Sequence, residues 1–427
     1  MLHAKPVRSG NRRSPITRRR VQIGGALVVS ALLPFLLRAV MTPGTGGDIT
    51  TLTALQGNIV AVFLAAWVRL SVETYPGVRA SSLNLPVATV SHGAVMVAIL
   101  MLRLPYDRLG LTGGYFLHLL WLYGSYFVAQ RGAALTIAVV PFGRIGDLTR
   151  IDRVEWVRMV VPRLDSIVHC DAIVADFGGD LPPEWEAFLA DAALAGRIGY
   201  QVKQLSESLT GRVEIEHISE NSFGGLLPAR GYFHLKEMID FLVSVALLPL
   251  ALLILPVVAI AIWIDDGGAV FFRQRRIGHR GRPITVYKFR TMRAASLEDD
   301  ERDAAITLAN DARITRVGAI LRRLRLDELP QILNVLGGQM SWIGPRPEEH
   351  SLSAYYTGEI PFYRYRHVVK PGISGWAQVN QGHVADVEAV NRKLQYDFYY
   401  IKYFSPWLDV LIMFRTIKTI LTGFGSR

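Results

Sequence analysis

Two adjacent carboxylates, Asp327 and Glu328, follow a run of arginines and precede a proline within residues 322–331. One carboxylate can act as a nucleophile, its neighbour can hold a metal ion or transfer a proton, and arginines neutralise phosphate. The pattern therefore indicates a site that handles phosphate groups. On these residues alone the alternative is a solvated amphipathic helix, because clustered charges mark functional sites only statistically.

Residues 313–325 carry apolar side chains at helical spacing and predict a helix just before the acidic pair. Pro330 suits the first position of a second helix, which we expect to run to about Leu336. The acidic pair would then lie at a helix junction, where exposed amide groups favour a bound phosphate.

Two further segments present cations in a fixed direction. In the strand predicted over residues 284–292, alternation sends Lys288 and Arg290 to the same face, as a phosphate clamp requires. The alternative is again a solvated strand face. Arg346 lies between prolines and beside Gly344, which predicts a rigid loop that presents a guanidinium group for bidentate phosphate binding.

The composition indicates a basic, apolar, membrane-associated protein. Of 427 residues, 50% are hydrophobic and 19% are charged, and the formal net charge is +11. The mean hydropathy is +0.25. Such a basic surface suits anionic lipid, phosphate ligands or nucleic acid. The single cysteine, Cys170, excludes an intramolecular disulfide and a cysteine-based zinc cluster.

Four apolar segments in the N-terminal part, residues 21–40, 52–68, 87–102 and 115–129, predict four transmembrane helices. Two are long enough to span comfortably and two are short, so buried core helices are the alternative. The first 20 residues are basic, and no cleavable signal peptide is predicted after them. The positive-inside rule puts this tail in the cytoplasm, and an even number of spans returns the chain there.

A fifth apolar segment, residues 238–264, contains Pro249 and Pro256. Proline removes a helical hydrogen bond and kinks the axis, so a helix–break–helix that enters one leaflet and returns is possible. From periodicity alone, a proline-kinked transmembrane helix is the simpler interpretation.

Residues 134–222 alternate strand and helix patterns, which predicts an α/β domain with a parallel sheet. The loop at residues 141–147 lacks the glycine arrangement that a dinucleotide site needs. We interpret this domain as a Rossmann-like relative of nucleotide folds without a dinucleotide site. The acidic stretch at residues 298–303 is typical of a solvated segment.

Four motifs in register resemble those of the bacterial monotopic phosphoglycosyl transferases, or polyprenyl-phosphate sugar-1-phosphate transferases. They are Lys288-Phe289-Arg290-Thr291-Met292, Leu326-Asp327-Glu328-Leu329-Pro330-Gln331, Gly344-Pro345-Arg346-Pro347 and Pro371-Gly372-Ile373-Ser374-Gly375-Trp376. The match runs from about residue 236 to the C-terminus. The N-terminal spans and α/β segment resemble, less specifically, the large form that initiates exopolysaccharide, capsule and O-antigen synthesis.

The resemblance implies transfer of a sugar-1-phosphate from a nucleoside-diphosphate sugar, by family expectation a UDP-sugar, to undecaprenyl phosphate. UMP is released and Mg²⁺ is the implied cofactor. Matched motif positions make Asp327 the covalent nucleophile and Glu328 its Mg²⁺-associated partner, with both as metal ligands. They link Arg322 to the lipid phosphate, and Lys288, Arg290 and Arg346 to substrate phosphates.

The resemblance further implies a chain of four parts in the bacterial inner membrane. These are a basic tail (1–20), four transmembrane helices (21–132), a cytoplasmic α/β domain (133–225) and a monotopic α/β catalytic domain (226–427) facing the cytoplasm. The catalytic domain would carry a re-entrant helix hairpin at residues 236–264. The family breaks this helix at a Ser-Pro step, whereas leucines precede Pro249 and Pro256 here, so which proline makes the break stays open.

Two other classes of function are weighed against the transferase. A non-enzymatic scaffold that binds lipid phosphate would carry a decayed motif, and none of the motif residues is missing. A nucleic-acid partner is not expected, because membrane-surface basicity explains the charge and no recognition motif is present. A homodimer is possible through the spans, and the sequence does not specify the sugar.

Overall fold

The computed structural model describes residues 19–42, 48–72, 80–129, 135–143, 145, 148–151, 154–197, 199–213, 228, 230–293, 313–381 and 386–422. Most of the predicted basic tail and the acidic stretch at 298–303 lie outside these residues. The chain forms two compact units, Met1–Thr210 and Gly211–Arg427. The finer boundaries predicted inside the first unit remain a prediction.

The first unit begins with apolar helices. Its helical segments are Arg19–Leu27, a π-helical stretch Val28–Leu32, Leu33–Met41, Ile49–Val72, Ala80–Met101, Arg108–Ala129, Pro183–Leu194 and Val202–Thr210, with 3-10 turns at Leu148–Arg150 and Leu164–Ile167. Side chains tie neighbouring helices together: Asn58 Nδ2 donates to the Gly110 carbonyl at 3.0 Å. Arg38 Nε lies 3.1 Å from Asp107 Oδ2. Polar contacts of this kind hold helices together where the surroundings are apolar.

Three of the four predicted N-terminal spans are long and apolar enough to cross a membrane, namely Arg19–Met41, Ile49–Ser71 and Asn84–Met101. The fourth predicted span lies in Arg108–Ala129, a helix of 22 residues. Among the described residues this helix does not reach the same apolar character, because it contains His118, several glycines and several tyrosines. The remaining helix with that character is Gly231–Asp266 in the second unit.

The α/β part of the first unit contains a parallel sheet, as predicted. Its strands are β1 (Leu135–Val139), β2 (Val154–Arg158), β3 (Ala172–Ala175) and β4 (Gly199–Gln201), in the order β2-β1-β3-β4. Helix Pro183–Leu194 packs on one face through Trp185 and Phe188. Helix Val202–Thr210 packs on the other face through Leu205. Both faces of the sheet are therefore covered, as parallel sheets require.

The second unit is built around one long apolar helix, Arg230–Asp266, of 37 residues. Its strands are an antiparallel hairpin of β5 (Phe271–Ile277) and β6 (Pro283–Phe289), and a parallel pair of β7 (Ser341–Ile343) and β8 (Gly372–Ser374). Its other helical segments are 3-10 turns His279–Gly281, Leu326–Gln331 and Tyr363–Val368, and α-helices Arg316–Leu324, Ile332–Leu336, His350–Glu359, Trp376–Asn380, Val387–Lys402 and Pro406–Thr422.

The long apolar helix continues through Pro249 and Pro256 as one α-helix. The helix break predicted at one of these prolines is therefore not seen, and the re-entrant hairpin is not confirmed. A proline inside a helix removes one hydrogen bond, which kinks the axis without ending the helix when packing holds the flanking turns. Ile254, Leu255, Val258 and Ile262 provide such packing against Phe289 and Leu321.

Candidate active site

The acidic pair lies on a 3-10 turn, Leu326–Gln331, which we call the acidic turn. The preceding helix, Arg316–Leu324, is capped by Thr315, whose hydroxyl oxygen accepts from the Gly318 amide at 3.0 Å. It ends at Arg325, whose left-handed backbone (φ 59°, ψ 18°) redirects the chain. The acidic turn then leads into Ile332–Leu336, so the acidic pair lies at a helix junction and the second helix ends at Leu336, as predicted. Pro330 lies inside the acidic turn and does not take the predicted first position of the second helix, which begins at Ile332.

Glu328 is the centre of the site. Its side chain is 5% exposed, and its Oε1 atom accepts from Arg346 Nη1 at 2.8 Å. Lys288 Nζ lies 3.5 Å from the same oxygen and Arg325 Nη1 lies 3.7 Å from it. One buried carboxylate thus gathers three cations, which together with Asp327 leaves a net positive charge suited to an anionic substrate.

The pKa values of the two carboxyl groups are shifted in opposite directions. Burial alone would raise the pKa of Glu328, but Arg346, Lys288 and Arg325 outweigh it and hold that pKa well below its usual range. Burial raises the pKa of Asp327, and the negative charge of Glu328 raises it further. Asp327 Oδ1 is buried and has no hydrogen-bond partner among the residues that the structure describes. Glu328 is therefore a fixed anion, whereas Asp327 keeps an oxygen available for reaction.

Lys288 reaches the site from the end of β6, the strand Pro283–Phe289. Burial lowers the pKa of its ammonium group to about 7, with Arg346 and Arg276 adding repulsion and Glu328 opposing them. An additional anion would favour the charged form of Lys288. The group therefore suits a site that receives a phosphate.

The loop that carries Arg346 is fixed by close backbone packing between the two glycine-rich motifs. Strands β7 and β8 pair in parallel, and the Gly344 amide donates to the Ser374 carbonyl at 2.8 Å. A Cβ on Gly372 would lie 2.1 Å from the Gly344 nitrogen, and one on Gly375 would lie 2.3 Å from the Gly344 carbonyl oxygen. Only glycine allows this approach, which explains why the two motifs occur together.

Two other arginines grip the same loop from behind. Arg366 Nη2 donates to the Arg346 carbonyl at 2.9 Å. Arg276 Nη1 donates to the Pro347 carbonyl. Arg366 is itself held by Asp397 at 2.7 Å and by Glu348 at 3.3 Å, and its side chain is 2% exposed. This buried ionic network orients the Arg346 guanidinium toward Glu328.

Two of the predicted phosphate-binding residues are placed elsewhere. Arg290 follows β6 and its guanidinium pairs with Asp266 at the end of the long apolar helix. Arg322 Nε donates to Thr291 Oγ1 at 2.9 Å, and its Nη2 lies 2.9 Å from Met292 Sδ. The structure therefore brings Lys288 and Arg346 to the acidic pair, whereas Arg290 and Arg322 make other contacts.

Sequence reasoning included Arg325 only as one of the run of arginines before the acidic pair, and it missed Arg276 and Arg366 as contributors to the site. Arg325 adjoins the acidic pair, so proximity could have suggested its contact with Glu328. Arg276 and Arg366 act on the Arg346 loop through contacts distant in sequence, and no local pattern indicates such contacts.

The acidic turn also contains the candidate metal ligands. No group of three or more His, Cys, Asp or Glu side chains suited to a metal ion occurs among the described residues. Mg²⁺, however, needs only one or two carboxylates when substrate phosphates complete its shell. The unpartnered Asp327 oxygen beside Glu328 fits that limited donor set.

Comparison with known proteins assigns these features to a family. The bacterial sugar transferase family matches residues 231–423, which include the whole site. A UDP-N-acetylgalactosamine-undecaprenyl-phosphate N-acetylgalactosaminephosphotransferase from Aeromonas hydrophila is 44% identical over 381 residues, 89% of each chain.

Other relatives match less than half of this chain. A UDP-glucose:undecaprenyl-phosphate glucose-1-phosphate transferase from Escherichia coli (strain K12) is 42% identical over 187 residues, covering 43% of this chain and 39% of that protein. One of the same name from Caulobacter vibrioides is 39% identical over 201 residues, 47% of this chain and 74% of the relative. With the acidic turn and its cations in place, the chain belongs to the bacterial sugar transferases, the enzymes that act as polyprenyl-phosphate sugar-1-phosphate transferases.

Proposed function

We propose that this enzyme transfers a sugar-1-phosphate from a UDP-sugar to undecaprenyl phosphate and releases UMP. The observation that carries the proposal is the juxtaposition of an unpartnered, buried Asp327 oxygen with a carboxylate that gathers three cations. Relatives named for this kind of transfer, with UDP-N-acetylgalactosamine or UDP-glucose as donor, support it.

The reaction proceeds in two displacements at the phosphorus that carries the sugar. A carboxylate oxygen of Asp327 forms a bond to that phosphorus, and the bond to the bridging oxygen breaks, so UMP leaves with the electron pair. An oxygen of undecaprenyl phosphate then attacks the same phosphorus and Asp327 leaves as a carboxylate. Covalent catalysis of this kind divides one difficult transfer between two anions into two steps.

The cations of the site make attack by an anion on an anion possible. Lys288, Arg325 and Arg346 are already held around Glu328 before substrate arrives, so no reorganisation is needed when negative charge develops on the phosphoryl oxygens. Glu328 fixes these cations, and its pairing with them leaves the attack to Asp327. The two adjacent carboxylates therefore have different roles.

Mg²⁺ is proposed as the cofactor, held by Asp327 and Glu328 together with the diphosphate of the donor. When bound, the ion would neutralise phosphate charge and stabilise the leaving UMP. Removal of divalent cations with EDTA should abolish UMP release, and added Mg²⁺ should restore it. Full activity in EDTA would remove Mg²⁺ from the proposal.

We also propose that the long apolar helix enters the membrane from one side only. Near its start, Lys236 pairs with Asp409 at 2.7 Å, and near its end Asp265 Oδ2 accepts from the Val317 amide at 3.0 Å. Both ends thus contact polar groups of the same compact unit. A spanning helix would instead place its ends on opposite sides of the bilayer.

The exposed apolar middle of that helix supports the same placement. Leu250, Leu253 and Val257 are 55%, 72% and 67% exposed. The helix Gly231–Asp266 as a whole is long and apolar enough to cross the ~30 Å hydrocarbon layer, so the contacts at its two ends carry this proposal and its length does not. In the proposed placement the helix reaches into one leaflet and keeps Asp327 on the cytoplasmic side, where sugar nucleotides are made.

Cysteine labelling tests this topology. In a Cys170→Ser background, His234→Cys and Ala269→Cys flank the long helix at exposed positions. Both should react with a membrane-impermeant maleimide from the cytoplasmic side of vesicles. Reaction of the two cysteines from opposite sides would establish a spanning helix and reject re-entry.

The α/β part of the first unit is proposed to be a nucleotide-fold relative that binds no dinucleotide. In the order β2-β1-β3-β4, the switch point lies between β1 and β3, where such folds place a ligand. Here Asp176 lies just after β3 and its Oδ1 accepts from Gln201 Nε2 at 3.1 Å. A Cβ on Gly143 would lie 2.4 Å from the Asp176 Cβ. A carboxylate therefore occupies the place where a phosphate would lie.

The donor sugar is best tested in an order set by the comparisons. UDP-N-acetylgalactosamine comes first, because the Aeromonas relative matches along 89% of each chain. UDP-glucose comes second, since the Escherichia coli glucose transferase matches over only 43% of this chain. Purified protein with undecaprenyl phosphate should release UMP from one of these donors. Absence of release from every UDP-sugar in a wider panel would contradict the proposed reaction.

A further inference from the structure

The N-terminal helices enclose a cavity of about 310 Å³ that the transfer reaction does not use. Each of the four helices contributes to its wall. Its polar lining comes from Arg19, Gln22, Arg69, Asn84 and His118. No acidic side chain is among the described residues that line it. The cavity is therefore suited to an anion.

The polar residues gather at one end of the helices. Arg19 is the first residue of the span Arg19–Met41, Arg69 is near the end of Ile49–Ser71, and Asn84 is the first residue of Asn84–Met101. Successive spans run in opposite directions, so these positions meet at the same membrane face. The predicted basic tail, residues 1–20, joins the first helix at this face.

Away from that face the wall is mainly apolar, apart from His118, which lies eleven residues before the end of the helix Arg108–Ala129. Ala26 lies seven residues after Arg19, about 10 Å along the helix, and Val62 lies a similar distance before Arg69. Both are buried, at 3% and 1% exposure. A charged mouth that leads into an apolar interior matches a phosphate-bearing lipid and does not match a fully polar solute.

Two buried polar atoms of the wall have no hydrogen-bond partner in the described part of the chain. His118 is 2% exposed and its Nδ1 is unpaired, and Asn84 is 1% exposed with Oδ1 unpaired. The Asn84 amide is nevertheless oriented, because its Nδ2 donates to the Leu122 carbonyl at 3.1 Å. Buried polar atoms without partners are rare and costly, and a bound ligand or water accounts for them.

We propose that this cavity binds the phosphate head group of a membrane lipid, with Arg19 and Arg69 at the phosphate and the lipid chain along Val62 and Leu122. Guanidinium groups are the preferred partners of phosphate, and an arginine at the edge of the hydrocarbon layer is stabilised by such an anion. The site belongs to the first unit, whereas Asp327 belongs to the second. It is thus a lipid site additional to the catalytic one.

The test uses the full-length protein in detergent and native mass spectrometry with two probes, undecaprenyl phosphate and phosphatidylglycerol. Arg69→Gln removes a cation from the cavity, and Ala65→Trp fills it without changing charge, since Ala65 lines the wall. Arg108→Gln is the matched control, because Arg108 is exposed and begins the helix Arg108–Ala129 at the opposite end of the bundle.

The wild-type protein and Arg108→Gln should retain one phosphate lipid per chain that Arg69→Gln and Ala65→Trp lose, with at least a tenfold weaker Kd. The occupant is identified from the one lipid that Arg69→Gln loses: loss of a bound undecaprenyl phosphate identifies the acceptor lipid, and loss of a bound phosphatidylglycerol identifies a bilayer phospholipid. Arg19→Gln removes a cation from the exposed mouth of the cavity without altering a buried side chain, and it should cause the same loss. Equal stoichiometry and Kd in wild type, Arg19→Gln and Arg69→Gln would overturn the proposal, as would equal losses in Arg108→Gln.

Discussion

Arg346 Nη1 lies 2.8 Å from Oε1 of Glu328, and this contact joins two motifs that are 18 residues apart in the chain. Of the three cations near Glu328, Arg346 is the closest, and it pairs with a carboxylate whose pKa is held well below its usual range. The roles proposed for the adjacent acids rest on this contact, because Glu328 is paired with cations whereas Oδ1 of Asp327 has no hydrogen-bond partner among the described residues.

Replacing Arg346 with methionine should therefore damage both chemistry and folding. We expect UMP release to fall about 10²–10³-fold, the scale for loss of one preorganised charge. The free energy of unfolding should fall by about 1–3 kcal/mol, because Glu328 loses its closest partner. Arg364→Met, an exposed change in the neighbouring turn Tyr363–Val368, is the control. Equal activity in the two variants would remove Arg346 from the site.

The pH dependence of activity should be bell-shaped. The pKa of Asp327 is raised by burial and by Glu328, so activity falls as the pH drops through that pKa and the nucleophile is protonated. Burial lowers the pKa of Lys288 to about 7, so its charge is lost as the pH rises past 7.

Lys288→Arg tests the basic limb, because arginine stays charged at all accessible pH values. The variant should keep its acid limb and lose the decline above pH 7 that Lys288 causes. Lys288→Met should lower activity across the whole range. An unchanged basic limb in Lys288→Arg would assign that limb to another group.

Arg325 has a strained backbone and a positive charge near Glu328. Replacing it with glycine separates the effect of the strain on stability from the effect of the charge on activity. Its φ of 59° is unfavourable for a side chain by about 1 kcal/mol, so Arg325→Gly should leave thermal stability unchanged or slightly higher. Activity should nevertheless fall at least tenfold, because a cation near Glu328 is lost.

Arg280 provides the matched control for that variant, since its φ of 56° is similar and it lies in the turn His279–Gly281. Arg280→Gly should relieve the same strain without loss of UMP release. If both variants kept full activity, Arg325 would have only a structural role.

The glycine contact between the two loop motifs makes a sharp stability prediction. Gly372→Ala places a Cβ 2.1 Å from the Gly344 nitrogen, so we expect destabilisation by about 2–3 kcal/mol together with loss of activity as Arg346 moves. Gly358→Ala has no atom within 4 Å and lies in a helix, so it should be neutral or mildly stabilising. Thermal denaturation of the two variants tests this prediction. Equal melting temperatures would show that the close contact between Gly372 and Gly344 does not contribute to stability.

The sequence predicted the parts of the site that depend on local pattern. The helix junction around Asp327 and the placement of Lys288 and Arg346 beside the acidic pair follow from proline positions, strand alternation and motif order. The pairing of Arg290 with Asp266 could not be predicted. Strand alternation shows which face a side chain points to, but it gives no information about a carboxylate at the end of another helix. The grip of Arg366 on the Arg346 carbonyl is likewise a tertiary contact.

For the helices and strands too, local sequence pattern predicted some features, whereas others depend on tertiary packing. Strand and helix alternation correctly predicted a parallel sheet in the first unit, since period and length suffice there. Pro249 and Pro256 suggested a break, yet packing of Val258 and Ile262 accompanies a continuous helix. The fourth predicted span is a helix of the expected position, but its glycines, tyrosines and His118 make it less apolar than the others.

In the proposed reaction Asp327 becomes covalently attached to the sugar phosphate. The direct measurement is the intact mass of the full-length protein after incubation with the donor UDP-sugar and Mg²⁺, without undecaprenyl phosphate. We predict a mass increase of one sugar-1-phosphate on the wild-type protein, its discharge when undecaprenyl phosphate is added, and no increase on folded Asp327→Asn. An adduct on Asp327→Asn, or full turnover by that variant, would contradict the account.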